Sequence, residues 1–129
     1  MNPKKIIPLI GIIEIYIGGV TLVSNLLSVF LAANPKTPNV FWFVTVTGFL
    51  STFIGIGILK LKQPAYQLLL YFASVIILSK ILIFMNIIQL NGALETAVPT
   101  SIKNLISIFY HGFIVLYLSR RDVKTHFNK

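Results

Sequence analysis

The chain has 129 residues, of which 56% are hydrophobic and only 11% charged, and its formal net charge is +8. Ordinary globular domains carry roughly 25% charged residues, so the balance excludes a water-soluble core. At about 20 residues per membrane helix the length allows four spans and no separate soluble domain. The basic residues stand at the ends of apolar runs rather than along one face with interleaved aromatics, which argues against nucleic acid and for phospholipid headgroups. Without cysteine there is no disulfide, thiolate metal site or cysteine nucleophile.

The first span is expected over about 6–31. Lys4 and Lys5 resemble the start of a signal peptide, but the apolar run from Ile6 to Ala33 is long, carries Glu14 and meets no A-x-A site, so it reads as a retained span. Pro8 is placed in its first turn, where a missing N–H is tolerated. Inside this run Glu14, Gly18, Thr21, Asn25 and Ser28 follow one another at spacings of four, three, four and three. On a helix they form one stripe roughly 80° wide, which must face protein or a water-filled cavity.

The segment Asn34-Pro35-Lys36-Thr37-Pro38-Asn39 signals a turn. A second span, about 40–59, is uncharged and has Trp42 near its start, as an interfacial belt requires. Thr47, Ser51 and Gly55, with Gly48 and Thr52 alongside, make a small-residue ridge for close packing of another helix, in this chain or in another protein. The basic turn Lys60-Leu61-Lys62-Gln63-Pro64 leads to a third span, about 65–90, broken by Asn91-Gly92. Ala93 to Pro99, holding Glu95, is the longest connection. Thr100 or Ser101 then caps a fourth span over 101–118.

The basic tail 119–129 has Ser119 and Asp122 at capping distance, and Val123 and Phe127 one turn apart. It reads either as a short amphipathic helix on the inner leaflet or as a frayed basic end. Lys4, Lys5, Lys60, Lys62, Arg120, Arg121, Lys124 and Lys129 flank one side of this arrangement, and Lys36 and Lys103 the other. The positive-inside rule then places both termini in the cytoplasm, with the first seven at the headgroups. The fold expected is an all-α integral membrane bundle of four transmembrane helices with short loops, forming a single domain over 1–129. The Leu-x-Leu steps in Leu59-Lys60-Leu61-Lys62 and Leu116-Tyr117-Leu118-Ser119-Arg120-Arg121 suggest a duplicated two-helix unit, but stop-transfer flanks commonly look like this.

Three ionisable groups fall inside the spans. Glu14 lies roughly 12 Å into the first, where a carboxyl must be protonated, paired or hydrated. It reads either as a proton- or cation-binding group or as a hydrogen-bonded acid that helps helices pack. His111, roughly 10 Å into the fourth span, matches that depth and shares a face with Asn104 and Ser107. A buried Glu14–His111 pair is therefore expected. Lys80, roughly 20 Å from the cytoplasmic side, either snorkels outward or bends toward Glu14. No HExxH, phosphate loop, paired acids or Ser-x-x-Lys is present, and Ser79 and Lys80, about 100° apart on a helix, cannot act as nucleophile and base. The expectation is a protein without enzymatic activity, metal or cofactor.

Two stretches carry a resemblance. Gly55-Ile56-Gly57-Ile58-Leu59-Lys60-Leu61-Lys62-Gln63-Pro64-Ala65 and Tyr117-Leu118-Ser119-Arg120-Arg121-Asp122-Val123-Lys124-Thr125-His126-Phe127 resemble the second exit and the ending of small bacterial four-span membrane proteins of uncharacterised role, with Arg121 where a proline is frequent. This resemblance implies a fold and no activity. Glu14 is also similar in placement to the membrane glutamate of small multidrug resistance transporters. The third span departs from that family, having a lysine and no tryptophan. The function expected is an accessory or assembly subunit of a larger membrane complex in the bacterial cytoplasmic membrane. The alternative is a dimeric proton-coupled carrier with Glu14 as its exchange site.

Overall fold

The computed structural model describes residues 2–31, 38–85, 87 and 100–127. The connections expected at Asn34–Thr37 and Asn91–Pro99, with Lys36 and Glu95, lie outside the described residues, as does Lys129. The described chain is helical without strands. In order it forms α1 (Pro3–Phe30), α2 (Pro38–Leu59), α3 (Gln63–Phe84), α4 (Thr100–Leu118) and the short α5 (Arg121–Lys124). α1 to α3 are long and apolar enough to cross a bilayer, and α4 is a shorter apolar helix.

Each start has a local cause. The Asn2 side chain accepts the Lys4 N–H at 3.0 Å, and Pro3 opens α1 with the one residue that has no N–H to leave unbonded. The helix thus begins earlier than expected, and Pro8 falls inside it, where it removes a bond to the exposed Lys4 carbonyl. The turn after α2 is closed by two bonds, Leu61 N–H to the Ile58 carbonyl at 3.0 Å and Lys62 N–H to the Gly57 carbonyl at 2.9 Å. This Schellman closure usually has glycine in its left-handed position; here Leu61 occupies it at φ 52°. A left-handed L-residue costs about 1–2 kcal/mol, partly offset by the entropy that glycine would lose on folding. Leu61→Gly should therefore raise stability in detergent by about 0.5 kcal/mol; a fall on thermal unfolding would assign the Leu61 side chain a contact that outweighs the strain.

α3 stops at Phe84, short of the expected Leu90, where the Met85 N–H closes on the Ile81 carbonyl at 3.0 Å. Of the rest of the expected span, residues 86 and 88–90 lie outside the described residues.

α1 packs along α2, α3 along α4, and α2 meets α3. The core gathers at the end that carries both termini and the α2–α3 turn: Ile7, Ile58, Tyr66, Leu118, Val123 and Phe127 are all buried there. The tail is therefore neither frayed nor laid on a leaflet. Val123 and Phe127 are 0% and 1% exposed, and the Phe127 ring lies 5.0 Å from that of Tyr66. The Tyr66 hydroxyl donates to the Leu118 carbonyl at 2.7 Å, satisfying one of the orphan groups at the end of α4. The expected Ser119–Asp122 capping pair does not form. Ser119 donates back to the Val115 carbonyl at 2.6 Å, and Asp122 takes the Arg120 guanidinium at 3.1 and 3.2 Å.

The outside of the bundle is apolar on every long helix. Tyr16, Phe53, Tyr71 and Phe109, one from each of α1 to α4, are 69–75% exposed. Patches of this kind are rare on water-soluble monomers and suit contact with lipid. Lys4, Lys5, Lys60, Lys62, Arg120, Arg121 and Lys124 are exposed at the end that holds the core.

Candidate functional site

The polar stripe of α1 meets α2 along two glycine contacts. A Cβ on Gly18 would lie on the Thr52 hydroxyl, 2.6 Å from the Gly48 carbonyl oxygen and 2.7 Å from the Thr52 nitrogen. A Cβ on Gly55 would lie 2.7 Å from the Gly11 carbonyl oxygen. Only glycine lets the two backbones come this close. Between these contacts Glu14 of α1 stands opposite Ser51 of α2, a side chain short enough for the gap.

Glu14 is fully buried, at 0% exposure. Its Oε2 accepts the Ser51 hydroxyl at 2.6 Å, and its Oε1 accepts the Tyr110 hydroxyl of α4 at 2.9 Å. Ser51 Oγ is also 2.9 Å from the main-chain carbonyl of Glu14, so one hydroxyl proton serves two acceptors. The carboxyl thereby ties α1, α2 and α4 together. Among the described residues Glu14 has no ion-pair partner, and no three His, Asp or Glu side chains converge there as metal ligands.

The expected Glu14–His111 pair is replaced by Glu14–Tyr110. His111 is buried, but its Nδ1 lies 2.7 Å from the Ser107 carbonyl of its own helix, and its ring meets Phe72 of α3 edge-on at 6.3 Å. Adjacent helical residues point about 100° apart, and it is Tyr110 that reaches Glu14 of α1. Nor does Lys80 bond to Glu14; it is half-buried on α3, within electrostatic reach of Lys103 and His111.

The rest of the stripe is packing within the chain. Asn25 donates through Nδ2 to Thr45 Oγ1 at 2.8 Å and to the Phe41 carbonyl at 3.3 Å. Ser28 donates to the Asn25 carbonyl at 2.7 Å, and Thr21 is half-buried. On α2 the contact runs through Gly48, Ser51, Thr52 and Gly55. Thr47 turns to its own helix, donating to the Phe43 carbonyl at 2.9 Å. The ridge is thus occupied by α1 and is not free for a helix of another protein.

Tyr110 and Gly11 were not evident as site residues. A signal existed for each: Gly11 and Gly18 repeat at the seven-residue spacing of Gly48 and Gly55, and Tyr110 lies three residues after Ser107. A tyrosine in an apolar run counts as hydrophobic, and its hydroxyl is overlooked. Against known proteins, no family model, no curated relative and no solved structure matches the chain.

Proposed function

We propose that the protein is a non-catalytic accessory or assembly subunit of a larger complex in the bacterial cytoplasmic membrane. It crosses the bilayer four times, with the basic end, both termini and the α2–α3 turn in the cytoplasm. The observation that carries this reading is the closure of the polar groups around Glu14 and Asn25. Ser51 and Tyr110 bond to Glu14, and Asn25 bonds to Thr45, while all four long helices turn large apolar side chains outward. A protein so arranged offers lateral apolar surface for other membrane helices, and among the described residues its buried carboxyl has no opening to a solute. The rival, a proton-coupled carrier, needs the Glu14 carboxyl to open to a pathway, whereas here both its oxygens are engaged and none of its surface is exposed.

Purification from native membranes in mild detergent should co-isolate membrane partners in fixed stoichiometry. A well-behaved lone monomer, or a homodimer whose proton flux in liposomes is abolished by Glu14→Gln, would contradict the reading.

A further inference from the structure

The side of α1 turned away from α2 is also shaped for a neighbour. Ile15, Tyr16, Gly19, Val20, Val23 and Ser24 line a groove of about 360 Å³ on the outer surface of the bundle. Gly19 leaves the backbone bare there, since a Cβ would meet nothing within 4 Å. The six follow one another as adjacent pairs every four positions. That is the register of helices that approach closely through a glycine and cross at about −40° in a right-handed pair.

Two hydroxyls on this face have no partner within the chain. Tyr16 stands halfway along α1 (Pro3–Phe30) and is largely exposed. Membrane tyrosines ordinarily sit at the interfaces, where the hydroxyl reaches water or headgroups. Neither the Tyr16 hydroxyl nor that of the half-buried Ser24, two turns further on, bonds to a described residue. In hydrocarbon an unbonded hydroxyl is costly, and acyl chains offer it no acceptor.

Symmetry selects what satisfies both. All copies of a membrane protein cross the bilayer in one direction, so a second α1 runs parallel to the first, and a two-fold pair brings each residue level with itself. A hydroxyl both donates and accepts, so Tyr16 is complementary to Tyr16 of another copy, and Ser24 to Ser24. The face itself is uncharged, and Lys5 lies roughly 16 Å along the helix from Tyr16.

We propose that the Tyr16–Ser24 face of α1 is the contact between two copies of this chain, in a parallel α1–α1 pair that crosses at Gly19. The inference does not depend on the accessory-subunit reading, because α2, α3 and α4 keep outward apolar faces for other partners.

Cysteine cross-linking of the full chain in native membranes tests the pairing, and the chain has no cysteine of its own to confuse it. Val23→Cys should give a disulfide-linked dimer on oxidation. Val46→Cys, exposed on α2 beside the Thr45 that bonds Asn25, lies at about the same depth and should give only collisional background. Adding Gly19→Ile to Val23→Cys should lower the linked fraction about tenfold, the equivalent of about 1.4 kcal/mol. Gly112→Ile, at an equally open glycine of α4, should leave it unchanged. Tyr16→Phe, which keeps the packing, should lower it about threefold. Unfolding in dilute mixed detergent, where copies are apart, shows that each variant keeps its fold. Equal linking at Val23 and Val46, or linking insensitive to Gly19→Ile and Tyr16→Phe, would overturn the proposal. So would loss with Gly112→Ile alone, or a Val23→Cys adduct to a different protein.

Discussion

Gly18→Ala should destabilise the protein by about 2–3 kcal/mol, although the same change at the next position, Gly19→Ala, should stabilise it by about 0.5–1 kcal/mol. The added methyl group is identical; the surroundings are not. At Gly18 it meets the Gly48 carbonyl oxygen and the Thr52 nitrogen at 2.6 and 2.7 Å, while at Gly19 nothing lies within 4 Å. Beside the Thr52 hydroxyl these two close neighbours are backbone atoms, so turning the Thr52 side chain away does not relieve the clash and α1 must move off α2. The displacement also lengthens the Glu14–Ser51 bond, now 2.6 Å. At Gly19 the substitution acts only through helix propensity. Reversible unfolding in mixed detergent reads both effects. Equal costs at the two positions would show that α1 does not approach α2 through the Gly18 face.

Glu14→Ala should cost about 2–3 kcal/mol, and Glu14→Gln under about 1 kcal/mol. Alanine leaves a void between three helices and strips the buried Tyr110 hydroxyl of its acceptor. Glutamine keeps the shape, still accepts from Tyr110, and offers an N–H to Ser51 Oγ. The Ser51 proton is then free for the main-chain carbonyl 2.9 Å away. Tyr110→Phe should cost about 1 kcal/mol, in keeping with hydrogen bonds between membrane helices, whose alternative partners in the unfolded state reduce their net worth. If Glu14→Gln unfolded the protein outright, the carboxylate charge itself would be structural, and a closed hydroxyl-bonded acid would be the wrong description.

The helices were legible because a lipid-facing helix announces itself by an unbroken apolar run and its basic flanks. What hydropathy does not carry is where the backbone leaves the helix: α3 ends at Phe84, one turn beyond Lys80. The same gap hid the tail: Val123 and Phe127 have the spacing of a face, but only packing against Tyr66 decides whether that face meets lipid or the core. For Glu14, sequence gave the level of its neighbour and the side of α1 it faces. Choosing Tyr110 over His111 needs the rotation of α4, which a one-residue change of face alters by about 100° and which the polar residues of α4 alone do not determine. The small-residue stripes were legible as packing surfaces, but their mutual pairing depends on the antiparallel register of α1 and α2.

The central claim is that the buried acid joins α1 and α4 through Tyr110 and not through His111. A double-mutant cycle on unfolding free energy tests it most directly. Glu14→Ala with Tyr110→Phe should be non-additive by about 0.5–1.5 kcal/mol, while Glu14→Ala with His111→Gln should add to within about 0.5 kcal/mol. Coupling to His111 with none to Tyr110 would contradict the account.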